Sequence, residues 1–122
     1  MRLVHRPVSA EGPTADERVL AADIEFADSF FEQLRGLMFR RSFAEGSALV
    51  FRFNVPKKRD LHMVCVPFAI DALWILGTEV THKKRLRPWI GIGRANADMI
   101  IELPAGAAEN VAVGDTVEVL AD

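Results

Sequence analysis

The chain has one cysteine, Cys65, and only three histidines, at positions 5, 62 and 82. A lone cysteine excludes an internal disulfide and a four-cysteine zinc site, and Cys65 reads as a small buried hydrophobe. A metal centre needs three or four convergent ligands. The dispersed histidines show no such spacing, so no metal and no cofactor is expected. The longest apolar run, 61–76, is interrupted by His62 and Asp71 and does not read as a membrane span. Residues 1–19 hold no apolar segment of signal-peptide length. The expectation is therefore a soluble, cytoplasmic protein without a membrane partner. Repeats and linkers are also missing, and 122 residues fit one domain, 1–122, with a sizeable core.

What is present is unevenly distributed. The net charge of -2 conceals a balance of -4 over residues 1–32, +8 over 33–97 and -6 over 98–122. Such blocks ordinarily interleave and cancel on a compact surface. The sharper alternative is a basic face for an anion, built from Arg40, Arg41, Lys57, Lys58, Arg59, Lys83, Lys84, Arg85 and Arg87. The acidic overall balance and the lack of an RNA-binding motif make nucleic acid the least favoured partner.

The pattern is mostly that of strands. Residues 1–5, 18–26, 48–53, 99–103 and 116–120 read as short strands. The stretch 61–76 turns at Gly77-Thr78 into the polar strand 79–86, which suggests a hairpin with one wet face. Residues 54–60 read as a turn with a solvated basic tip. Residues 87–97 read as a loop, in which Gly91-Ile92-Gly93 lacks the third glycine and the following helix of a phosphate loop. One helix is expected from Ser29, where Ser29 and Glu32 form a capping box ahead of apolar residues at 30, 31, 34, 37 and 38. The fold class is mainly β (α+β): a small sandwich or barrel with one packed helix.

Gly36-Leu37-Met38-Phe39-Arg40, Phe51-Arg52-Phe53, the segment 61–71, Leu103-Pro104-Ala105-Gly106 and Gly114-Asp115 occur in this order and spacing. As a set they resemble the family of domain of unknown function 192, over about residues 17–122. The resemblance implies a jelly-roll type β domain with a packed helix, and no assigned reaction, cofactor or substrate. Relatives commonly read F-W-M-K-N-T-x-I-P-L-D across 61–71. Here Met63 and Asp71 are kept, while Val64, Cys65 and Val66 replace the polar Lys, Asn and Thr, a version similar to archaeal members.

Asp71 stands in an apolar run, and a carboxylate there needs donors or a cation. Either it accepts backbone N–H groups or pairs with an arginine, or it belongs to a site. His62 is a candidate acid or base by its residue type, and Arg40, at the expected helix end, serves terminal carbonyls, Asp71 or an anion. Trp89 follows Pro88 in a glycine-containing loop, a stacking surface or a core filler. The preferred reading is a non-catalytic domain binding a small polar or anionic ligand or a partner through Asp71, His62, Arg40 and Trp89. The alternatives are an enzyme using Asp71 and His62 as an acid–base pair, and nucleic-acid or anion binding by the basic middle, which salt would weaken. Cys65 and His62 as a nucleophile pair is disfavoured, because residues three apart on a strand face opposite ways.

Overall fold

The computed structural model describes residues 1–9, 12–13, 16–28 and 36–122. Ten strands follow one another: β1 (Arg2–Arg6), β2 (Val8–Ser9), β3 (Gly12–Pro13), β4 (Arg18–Ala21), β5 (Asp23–Phe26), β6 (Ser47–His62), β7 (Ile70–Leu76), β8 (Glu79–Leu86), β9 (Ile92–Pro104) and β10 (Thr116–Leu120). Eight form one sheet in the order β4-β1-β10-β8-β7-β9-β6-β5, and β2 pairs with β3. The eight-stranded ladders are antiparallel except for β5 on β6. The edge strands β4 and β5 are separated in the chain by Ala22 alone. A sheet whose two edges lie one residue apart has to curl, and the N–H groups of Ala22 and Asp23 both donate to the Gly46 carbonyl at 3.0 Å.

β7 lies in the middle and is buried on both faces, which explains its nearly unbroken apolar sequence. Leu73 and Ile75 join Leu3, Val50, Ile101 and Val117 in one cluster. Ile70, Ala72 and Trp74 join Leu49, Phe51, Leu86 and Ile100 in the other. At the sheet's N-terminal side, buried His5 on β1 meets Asp115 through Nε2 at 2.7 Å, and Asp115 also accepts the N–H groups of Val8 and Ala112.

The second cluster is roofed by the sheet's own strands. β6 pairs with β9 as Arg52↔Met99 and next as Lys57↔Ala97, so β6 advances five residues where β9 advances two. Pro56, which has no N–H to give a ladder, falls within this bulge. Beyond it, 57–62 and 92–97 continue as a two-stranded ribbon that lies over β7 and β8. The Trp74 indole N–H donates to the Arg59 carbonyl at 3.0 Å, the Thr81 hydroxyl to the Asn96 carbonyl at 2.7 Å, and the Lys84 ammonium to the Ile92 carbonyl at 2.6 Å.

The mainly β class, the strand near the N-terminus, the hairpin turning at Gly77-Thr78 and the strand after Gly114-Asp115 agree with the sequence reading. Other expectations need correction. A single curled sheet takes the place of the two sheets of a jelly roll, because β6 and β9 are long enough to supply both layers. The basic triplet 57–59 and residues 92–97, expected as loops, pair with each other as the ribbon. Residues 18–26 divide at Ala22 into two strands. The expected helix starts at Ser29 and lies outside the described residues up to Arg35; its last apolar positions, 37 and 38, fall in a turn. Among the described residues no helix is long and apolar enough to cross a membrane.

Gly93 limits how closely the ribbon packs. A Cβ there would lie 2.5 Å from Cη2 of Trp74, a rigid and fully buried ring. Gly93→Ala should therefore destabilise the fold by about 1–3 kcal/mol, the usual cost of overpacking. A urea midpoint equal to that of the unmodified protein would contradict this account of the ribbon.

Candidate functional site

Asp71 is 2% exposed, and its acceptors are engaged. Oδ1 receives the Nε–H of Arg85, its cross-strand neighbour, at 2.5 Å; Oδ2 receives the N–H groups of Gly106 at 2.9 Å and Ala108 at 3.1 Å. The same turn is held from its carbonyl side by Lys83, whose ammonium donates to Ala108 at 2.7 Å and Val111 at 2.8 Å. A carboxylate and an ammonium from neighbouring strands thus satisfy opposite polarities of one turn, which buried backbone groups require. The motif Leu103-Pro104-Ala105-Gly106 leads into this turn, so Asp71 and that motif belong to one construction.

The other sequence-predicted residues lie apart from Asp71. His62, at the end of β6, is exposed, and its Nδ1 accepts the Val64 N–H at 3.3 Å. Arg40 is ion-paired with Glu25. Trp89 is 58% exposed, with a left-handed φ of 67°, and its N–H donates to the Val66 carbonyl. Of the four, His62 alone lines the cavity described next. The basic middle is also largely committed within the chain: Lys83 and Lys84 to carbonyls, Arg52 to Asp28, Arg85 to Asp71 and Arg94 to Asp60. A continuous cationic face is not formed by these groups.

A cavity of about 320 Å³ opens between the ribbon and the turn at 36–38, with Phe51, Phe53, Val66 and Ile100 among its apolar walls. Lys57, Lys58, Arg59, Asp60 and His62 line the ribbon side, and Glu102 of β9 lines the sheet side. Glu102 is 5% exposed, between the apolar neighbours Leu49 and Ala72 in the ladder. No hydrogen bond to its carboxyl is formed among the described residues, and burial pushes its pKa up to about 8 against the downward pull of the Arg40 charge. At neutral pH the group is therefore mostly a neutral acid with an O–H to donate. The Arg59 guanidinium lies 3.9 Å from the centre of the Phe53 ring and gives one N–H to the Val55 carbonyl at 2.6 Å, while its buried Nε–H has no partner. Gly36, at φ 49°, brings the turn close: a Cβ there would sit 3.8 Å from Oε1 of Glu102.

Sequence reasoning missed Glu102. Its signal was the one that singled out Asp71: a single acid in an apolar run, here 99–103, on the strand parity of Ile100.

The model of the family described as uncharacterized ACR, domain of unknown function 192, matches residues 13–119. A UPF0127 protein of Thermococcus sibiricus is 28% identical over 105 residues, covering 83% of this chain and 68% of the relative. The crystal structure of a candidate transcription regulator from Sinorhizobium meliloti superposes with a TM-score of 0.75 at 22% identity, over 96% of this chain and 92% of the other. A protein of unknown function from Novosphingobium aromaticivorans gives 0.77 at 22% identity, over 96% and 84%. At such identity the two structures bear on the fold alone.

Two substitutions separate Asp71 from Glu102. Asp71→Ala strands the N–H groups of Gly106 and Ala108 and should cost on the order of 2–4 kcal/mol in urea unfolding; a loss below half a unit on that scale would contradict the bracket. For Glu102 the folded pKa of about 8 lies above the ordinary 4.5. Between these values the unfolded chain releases the proton and the folded one retains it, so this group lowers stability progressively as pH rises from 4.5 to 8. Glu102→Gln should remove that slope, gaining on the order of a few kcal/mol on the wild type between pH 5 and 8. Parallel stability–pH curves for the two proteins would refute it.

Proposed function

The chain belongs to the family of domain of unknown function 192, which brings no reaction with it, and from its geometry we propose that it is a non-catalytic domain binding a small ligand in the cavity between the ribbon and the 36–38 turn. The observation that carries this reading is Glu102: a nearly buried carboxyl, without a hydrogen-bond partner among the described residues, at the wall of an open cavity. Leaving such a group unpaired costs stability. That the fold tolerates the cost at a cavity, while it satisfies Asp71 fully, supports a donor kept for a ligand.

The four residues expected from the sequence divide between two tasks. His62 remains a rim group of the site. Arg40 acts on it through its charge at Glu102. Asp71 serves the fold, and Trp89 is an exposed side chain outside the cavity. The acid–base alternative loses its support, since Asp71 is buried and bound to Arg85, Gly106 and Ala108, while His62 is exposed at the end of β6. The cytoplasmic location expected from the sequence is kept in this reading.

The test is a screen of small polar and amphipathic molecules against the labelled protein by NMR. Binders should shift the amides of 57–62 together with those of Ile100 and Glu102, and Glu102→Leu should remove them. Binders that map elsewhere, or that bind Glu102→Leu unchanged, would refute the assignment.

A further inference from the structure

We propose that the cavity's ligand is an oxyanion carried on a small apolar body, with the Glu102 carboxyl donating its proton to one ligand oxygen and the cations of the ribbon facing the charge. This rests on the binding role argued above and adds the chemistry of what is bound.

The polar groups of the lining that remain uncommitted are donors. Lys57 and Lys58 are exposed ammoniums on the ribbon, and Arg59 retains an unpaired Nε–H. The one other acid of the lining, Asp60, already holds Arg94 through two hydrogen bonds. Glu102, protonated at neutral pH by its burial, adds an O–H. Donors without acceptors select a ligand rich in acceptors, and an oxyanion accepts at each oxygen. A cation would meet Lys57 and Lys58. A neutral apolar molecule would leave Glu102 unpaired. The remaining walls, Phe51, Phe53, Leu61 and Ile100 among them, suit an apolar body, and about 320 Å³ is near the lower end of ligand pockets.

The arrangement also couples binding to a proton. Among the described residues, the charge that acts on Glu102 is that of Arg40, itself paired with Glu25, while Lys57, Lys58, Arg59, Asp60 and His62 of the ribbon line the same cavity. Its ladder neighbours Leu49 and Ala72 carry no charge. When Glu102 ionises, the donor becomes a second anion beside the ligand.

The experiment titrates the full chain with hexanoate, hexyl phosphate, hexanol and hexylamine, followed by the amide shifts of 57–62 and 100–102. At pH 7 at least one of the two anions should bind about tenfold more tightly than hexanol, the ratio a single charge-assisted hydrogen bond supplies. Which anion it is identifies the oxyanion, and either outcome supports the proposal. Affinity should fall between pH 7 and 9 in the wild type, whereas Glu102→Gln, which keeps a donor and cannot ionise, should bind with no such fall. His62→Gln removes the one imidazole of the lining, and the fall should persist in it. Equal binding of hexanol and the anions, or tighter binding of hexylamine, would overturn the oxyanion and leave the cavity as a ligand site. A pH-independent wild type would overturn the role of Glu102. If none of the four probes shifts these amides at millimolar concentration, the binding reading falls as well.

Discussion

The indole of Trp74 holds the architecture together, because it is the group on which the sheet closes over itself. It projects from the central strand, is fully buried, and is capped by the ribbon that β6 and β9 form beyond their bulge. Burying an aromatic ring of this size is worth several kcal/mol, and its N–H would be costly to bury unpaired. The Arg59 carbonyl supplies the acceptor, so the ribbon has one height above the sheet. Gly93 makes that height attainable, since any larger residue would strike the ring. The position of Arg59 follows from the same contact, and with it the ribbon wall of the cavity, from Lys57 to His62.

Two buried acids show how a fold spends polar groups differently. Asp71 and Glu102 sit on neighbouring strands, each flanked by apolar residues, yet one is bracketed by Arg85 and two backbone donors and the other meets none. The difference arises from geometry. Asp71 lies near the C-terminal end of β9, where the chain turns back and directs N–H groups at it. Glu102 faces the outer cluster beside Gly36, where the nearest backbone presents space and a phenyl ring. A carboxyl in the second setting holds its proton. The same residue type thus becomes an anionic brace in one place and a neutral donor in the other.

The sequence made the strand content legible where turn residues bracket it. Gly77-Thr78 closes the β7–β8 hairpin, and Gly114-Asp115 precedes β10. The doubly buried β7 was visible as an apolar run, and the resemblance of motifs agreed with the family. The ribbon was not legible, because Lys57, Lys58 and Arg59 carry the composition of a loop and become a strand only through pairing with residues some forty positions later. Local propensity is silent about such a partner. The same nonlocality hid the site. Asp71 drew attention as an acid among apolar residues, and the answer it called for, Arg85 and the 105–108 turn, is structural. Glu102 has an equal sequence signal, and only the placement of the 36–38 turn and the ribbon around it puts it at a cavity wall. Arg40 was expected to serve helix-end carbonyls, Asp71 or an anion; it pairs with Glu25, and its charge reaches Glu102.

The loops beside the cavity carry the remaining cost. The three non-glycine residues with left-handed backbone among the described residues are Phe39, Cys65 and Trp89, and they fall in three loops tied to one another. Phe39 donates its N–H to the Cys65 carbonyl at 2.8 Å, Trp89 to Val66 at 3.0 Å, and Met63 to Gly91 at 3.0 Å. Each such residue costs of order 1–3 kcal/mol and persists only where its surroundings over-determine it. Here the over-determination is visible: Met63 and Val66 are buried anchors, while Phe39, Val64 and Trp89 remain exposed. Met38 and Val66, next to strained residues, both line the cavity. Relaxing Phe39 or Cys65 to an ordinary conformation would break the hydrogen bond between their loops and free the 36–38 turn from the 63–66 turn. The strained backbone at 39 and 65 thus adjoins the cavity, where the Phe39–Cys65 hydrogen bond ties the 36–38 turn to the 63–66 turn.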